Sequence, residues 1–193
     1  PNEFLESNFP LRINEYSSIP DSGGAGKHRG GNGVCTAYQF LADGQISIHD
    51  DRWLTYPWGV NGGTPGARSS KLLKRADGTQ EWLPAKCDRI KVVDGDVLVF
   101  NTWGGGGWGD PLQRDAALVA LDCRRGLVTR EGALRHGVVL GADGALAGKE
   151  DGEPFPQVPV EGVGARVHGV TSGMIPAALV KPVAARRSGS RWT

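Results

Sequence analysis

The sequence predicts a mainly β fold with a few short helices, an α+β chain of glycine-loop-rich antiparallel sheets, sandwich- or barrel-like, that ends in an extended C-terminal tail. Three observations carry this prediction. Thirty glycines and twelve prolines in 193 residues are too many loop formers for a helical bundle. The apolar runs are short, β-branched and often alternating, which is the period of a strand. Asp-Gly pairs suited to tight turns stand between apolar runs, at Asp43-Gly44, Asp77-Gly78, Asp94-Gly95 and Asp143-Gly144. At this length a single domain buries roughly 70% of the surface its unfolded chain exposes. The expected division is a β-rich domain over residues 1–149 and a tail over 150–193.

Taken in order, residues 2–8 are a lead-in segment, and residues 11–16 alternate as a first strand should. Residues 20–33 form a glycine-rich loop with a basic centre, Lys27-His28-Arg29. It fails the phosphate-loop pattern, because Asp21 stands where the first Gly belongs and His28 replaces the Ser or Thr that would hold Mg²⁺. Residues 34–41 alternate and turn at Asp43-Gly44 into residues 45–50, which predicts a hairpin. After Trp53, Tyr56 and Trp58, a further glycine loop covers residues 59–66. Residues 72–74 and 80–83 then flank Ala76-Asp77-Gly78 as a second hairpin.

The most informative stretch begins at Asp94. Residues 97–100 are a buried strand, followed by Trp103, the four glycines Gly104, Gly105, Gly106 and Gly107, then Trp108, Gly109 and Asp110-Pro111. Asp before Pro starts a helical turn, since the carboxylate caps free N–H groups and the fixed φ of Pro suits the first helical position. Leu118, Val119, Leu121 and Cys123 recur at helical spacing from Asp115, and Gly126 stops that helix. Thr129 caps a second short helix, and residues 138–140 and 145–146 make a terminal hairpin. The apolar residues of the tail, among them Val158, Val160, Met174, Ile175 and Leu179, predict that it lies along a partner rather than in water.

Consecutive glycines lose the most backbone entropy on ordering. A chain keeps them where a ligand or another backbone passes too close for a side chain. Beside a helix start their N–H groups also form a nest for an anion. Gly104, Gly106 and Gly109 satisfy G-x-G-x-x-G, but the second parallel strand of a dinucleotide fold does not follow. The four histidines are scattered, with no pair at metal-binding spacing, so no metal site is predicted in this chain. His49 beside Asp50 is the most suggestive pair for proton transfer, with a solvated strand end as the plain reading. Cys35, Cys87 and Cys123 support neither a zinc site nor a disulfide framework, and a reducing, cytoplasmic setting fits them. The near-zero net charge of +1 predicts no nucleic-acid partner, and the lack of a long apolar run predicts no membrane partner. Pro1 fits a separately encoded chain that has lost its initiator Met, a trimmed or proteolytic fragment being the alternative.

Taken together, the motifs resemble the C-terminal segment of the hydantoinase B/oxoprolinase family. The matching pieces are residues 9–12, 20–26 and 29–33, then Pro57-Trp58-Gly59 and residues 62–67. They continue with Gly95-Asp96-Val97, residues 104–111, Arg114-Asp115, residues 126–128 and 137–140. The resemblance implies a small subunit of a multi-subunit, ATP-dependent enzyme, inactive alone, which completes a split hydantoinase-B-like subunit. The reaction it implies is carboxylation of a ketone of the acetone or acetophenone type with bicarbonate, or alternatively hydrolysis of a cyclic amide. A non-catalytic assembly subunit is the competing reading. Its implied partners are a hydantoinase-A-like ATP-binding subunit and a larger hydantoinase-B-like subunit. ATP and Mg, and any further divalent metal, belong mainly to those partners. Gly23, Gly24, Lys27, Arg29, residues 104–107 and Asp110 are then expected to face substrate or phosphate, and His49 and Asp50 are the catalytic candidates.

Overall fold

The structure is a computed structural model that describes residues 2–149. In chain order the elements are α1 (Asn2–Asn8), β1 (Leu11–Ser18), β2 (Val34–Phe40), β3 (Gly44–His49), β4 (Ser70–Lys74), β5 (Gln80–Trp82), β6 (Lys86–Val92), β7 (Val97–Asn101), α2 (Ala116–Arg124), α3 (Arg130–Ala133), β8 (Val138–Leu140) and β9 (Leu146–Lys149). Short 3-10 turns cover Pro111–Gln113 and Leu134–His136. A five-stranded antiparallel sheet runs β1-β2-β7-β4-β5, while β3 pairs with β6 and β8 with β9 as separate ribbons. The sheet keeps two free edges, so the expected sandwich- or barrel-like form is an open layered arrangement and not a closed barrel.

The β3–β6 ribbon lies over one face of the large sheet. Leu73, Leu98 and Leu83 from the sheet side meet Ile48 and Val92 from the ribbon, with Tyr38, Phe40, Phe100, Ile46 and Ile90 partly buried around them. The alternation of each strand sends Leu72, Val99 and Ala37 to the opposite face, where they form a smaller cluster. Val119, Ala133 and Val138 make a third cluster that holds α2, α3 and β8 together.

Three charged side chains are buried here. Lys71 on β4 is fully buried and ion-paired with Asp50, the residue after β3. Its ammonium also donates to Ser69 Oγ at 3.1 Å and stands 4.8 Å above the Phe100 ring. Burial pushes Lys71 down to about 8; the paired carboxylate opposes that shift. Asp96 is likewise buried, and it accepts from the N–H of Ala76 and of Val93 and from Arg75. Burial raises its pKa, but those hydrogen bonds and the guanidinium outweigh burial and hold it below the usual carboxylate range.

The hairpins β4–β5 and β8–β9, the caps at Asp110 and Thr129 and the first strand match expectation, while α2 has a cap of its own, Asp115. Two features differ. Residues 34–41 and 45–50 do not pair with each other: β2 is flanked by β1 and β7, and β3 crosses to β6. With both edges of β2 taken, the Asp43-Gly44 turn carries the chain to the other layer instead of folding it back. Residues 2–8 form a helix that buries no residue, too short and too solvated to leave an apolar period in the sequence. The expected 150–193 tail lies outside the described residues.

Candidate functional site

The segment leaving β7 runs as a rod through the middle of the glycine loops, and its backbone partners recur every three residues. Gly104 N–H donates to the carbonyl of Ala67 at 3.0 Å and Gly107 N–H to that of Thr64 at 2.9 Å. Gly105 N–H donates to Gly31 at 2.8 Å and Trp108 N–H to His28 at 2.9 Å. Returning to the same neighbour after a step of about three residues is the geometry of a polyproline II helix, which makes no internal hydrogen bonds and turns its amides outward. Gly24 N–H reaches the Gly105 carbonyl at 2.8 Å and Val60 N–H the Gly107 carbonyl at 2.9 Å, so segments 22–26, 28–33, 58–60 and 63–67 surround the rod.

Such rods pack side by side only where side chains are missing. A Cβ on Gly104 would collide with the Ser22 carbonyl, on Gly106 with that of Trp58, and on Gly107 with that of Ala25. The neighbours reciprocate: Gly30, Gly63 and Gly66 press on the carbonyls of Gly105, Gly107 and Gly104. Among the rod glycines, Gly109 alone has a positive φ, 73°. The closeness of other backbones therefore explains Gly104, Gly106 and Gly107, and left-handed geometry does not.

A collar of charges ties this bundle to the helices. Asp122 on α2 is buried and receives Arg29 Nε at 3.0 Å and Arg114 Nη2 at 2.8 Å on one oxygen. Arg29 also donates to the Gly30 carbonyl at 2.8 Å, and Arg114 to that of Lys27 at 3.1 Å. Asp21 accepts from Thr129 N–H at 3.0 Å and pairs with Arg135 at 3.1 Å. His136 is fully buried with Nδ1 3.4 Å from the Pro111 carbonyl. Burial, reinforced by Arg114 and Arg135, pushes its pKa down to about 4, so it is neutral at pH 7. Burial also raises the thiols, Cys35 to about 11 with help from Glu15 and Cys87 and Cys123 in the same direction, which leaves them protonated and poor nucleophiles.

The expected site residues do not converge. His49 is exposed and meets Asp88 at 2.9 Å, while its neighbour Asp50 turns inward to Lys71; successive strand residues face opposite ways, so the His49–Asp50 pair does not form. The N–H groups of Gly24, Gly104, Gly105 and Gly107 are taken by backbone carbonyls, and Gly23 N–H goes to Asn32 Oδ1 at 3.3 Å. These five amides are therefore not offered to a phosphate in this fold. Arg29 is neutralised by Asp122, and Asp110 caps the 3-10 turn by accepting from Leu112 N–H at 2.9 Å. Lys27 keeps an exposed side chain. Sequence reasoning missed Asp122, Arg135, Lys71 and His136; the place of Asp122 two turns past Asp115, among the apolar residues of α2, is the one local hint among them. Among the described residues no group of three His, Cys, Asp or Glu side chains lies together as metal ligands would, so no step is assigned to a metal held here.

Comparison with known proteins is consistent with this geometry. A family model described as hydantoinase B/oxoprolinase matches residues 1–111. The B component of a putative D-/L-hydantoinase from Pseudomonas sp. (strain NS671) is 36% identical over 72% of this chain and 24% of its own length. The crystal structure of the ATP-dependent caprolactamase from Pseudomonas jessenii superposes with a TM-score of 0.67 at 31% identity, over 76% of this chain and 26% of that one. A nucleotide-free acetone carboxylase shares the fold, with a TM-score of 0.65 at 24% identity over 78% of this chain and 24% of that one. The chain thus spans about a quarter of the length of each.

Proposed function

Because the chain belongs to the hydantoinase B/oxoprolinase family, we propose that it is one component of a multi-subunit, ATP-dependent enzyme that opens a cyclic amide. The component role is supported by the glycine bundle: a rigid backbone block, built at the cost of much chain entropy, with no acid–base pair or nucleophile gathered on it. The cyclic-amide reading is carried by one observation, identity of 36% and 31% to a hydantoinase component and a caprolactamase. In this reading ATP and Mg²⁺ are held by a hydantoinase-A-like partner, a larger hydantoinase-B-like chain brings the remaining site residues and any further metal, and this chain is inactive alone. ATP supplies the driving force for opening an unstrained amide. Of the two cations expected at the site, Arg29 is paired with Asp122 and Lys27 stays exposed beside the bundle, so Lys27 is the one that can approach an anionic intermediate. The assembly works in the cytoplasm.

Ketone carboxylation with bicarbonate is the second reading, supported by the fold shared with acetone carboxylase. Reconstitution of the full complex separates the two. ADP release should rise with hydantoin, 5-oxoproline or caprolactam and fall to background when this chain is omitted. Stimulation by acetone plus bicarbonate alone would favour the second reading. Turnover by the isolated chain would overturn both.

A further inference from the structure

Tryptophan is hidden wherever a fold can hide it, because its large ring stabilises most when removed from water. This chain instead leaves Trp58 67% exposed and Trp108 and Val60 each 46% exposed. They stand on adjacent rods of the glycine bundle. Val60 and Trp108 are parallel bridge partners, and Gly109 N–H closes the contact on the Val60 carbonyl at 2.9 Å. The Trp58 carbonyl presses on Gly106 of the same rod. On the other flank His28 pairs antiparallel with Trp108, the two rings 5.5 Å apart. Cations border this face: the Arg52 guanidinium lies 4.5 Å over the Trp58 ring, and Lys27 is exposed beside His28. The one nearby carboxylate on the rod, Asp110, is turned to its cap.

The backbone under these side chains cannot retract, since the rods already touch through their glycines. An aromatic patch on a fixed support with a charged border has the make-up of an interface centre and rim. We propose that this Trp58–Val60–Trp108 face docks the larger hydantoinase-B-like polypeptide, through an apolar surface edged with Asp or Glu. The inference rests on the assembly reading above. It is argued from length, because about three quarters of each relative lies outside the part this chain matches, and a face left uncovered by the described residues is available to that remainder. Charge argues against a second copy as occupant, since two-fold pairing would set the Lys27 and Arg52 border against itself.

The test takes the full chain and the larger hydantoinase-B-family chain of the same genome, mixed as purified proteins. Hydroxyl-radical footprinting of the unsubstituted complex should show oxidation of Trp58 and Trp108 falling several-fold, with Trp82, exposed on the β5 edge, unchanged. The double substitution Trp58→Ser/Trp108→Ser should weaken association about a hundredfold, against less than about twofold for Trp82→Ser. A complex in which Trp58 and Trp108 stay as reactive as in the free chain overturns the docking face and leaves the assembly reading standing. Failure of the two chains to associate at all overturns both. Protection that appears on self-association of this chain alone overturns the choice of partner.

Discussion

At Gly106 the carbonyl oxygen of Trp58 decides the residue, and at Gly104 that of Ser22. Gly106→Ala should destabilise the chain by on the order of 3 kcal/mol, because neither backbone can yield without breaking other rod contacts. Gly31→Ala, with open space around its Cβ and no positive φ, should leave the thermal midpoint almost unmoved. Loss of turnover in Gly106→Ala therefore reports loss of the bundle and says nothing of phosphate binding. The run of glycines was legible as a place of close approach; what approaches was not, because each partner lies tens of residues away in sequence. His136 offers a second test at this scale. Its folded pKa, about 4, is below the ordinary value of 6.5, so the unfolded chain binds the extra proton first. Its contribution is complete above pH 6.5 and is lost as pH falls towards 4, on the order of 3 kcal/mol in all. Urea unfolding of the parent and His136→Gln across this window should show that part of the pH slope missing in the variant.

The elements differ in how locally they are specified. Asp115 and Thr129 cap α2 and α3 by accepting from Ala117 and Gly132 N–H, both at positions a reader of the sequence can mark. Asp115→Ala should cost about 1 kcal/mol, measured as a shift in the denaturation midpoint at constant slope. The β4–β5 hairpin is equally local. The crossing of β3 to β6 is not, since its reason lies in the two occupied edges of β2 and in the aromatic face that the ribbon covers. Lys71 pins that crossing, and a lysine in the middle of Ser70-Lys71-Leu72-Leu73 carries no sign in sequence that it points inward. Asp50→Ala strands its ammonium in the core and should cost about 3–5 kcal/mol, while Asp50→Asn with Lys71→Met should recover most of that loss. A double-mutant cycle by chemical unfolding gives the coupling.

For the whole molecule, the helices are a clamp on the glycine bundle through Asp122. Asp122→Asn removes the shared carboxylate of Arg29 and Arg114, so amides of α2 and of residues 28–33 should exchange with deuterium faster together, with the β2–β7 ladder unchanged. Resemblance pointed to the family at the level of ordered motifs, and the fold class followed from turn and strand signals. The expected site residues do not converge, and the matched part of the chain spans about a quarter of each compared relative; in the proposed assembly the larger chain brings what is missing.

The three-residue recurrence of the rod also sets a rule of length. Each residue advances the direction of its amide by a third of a turn. One glycine added between Gly105 and Gly106 would thus swing every later donor away from Thr64, His28 and Val60. Three added glycines would bring them back into phase and merely displace the Trp108 end along the axis. Insertions and deletions in this family's glycine loops should accordingly come in triplets, a spacing imposed by the screw of the backbone.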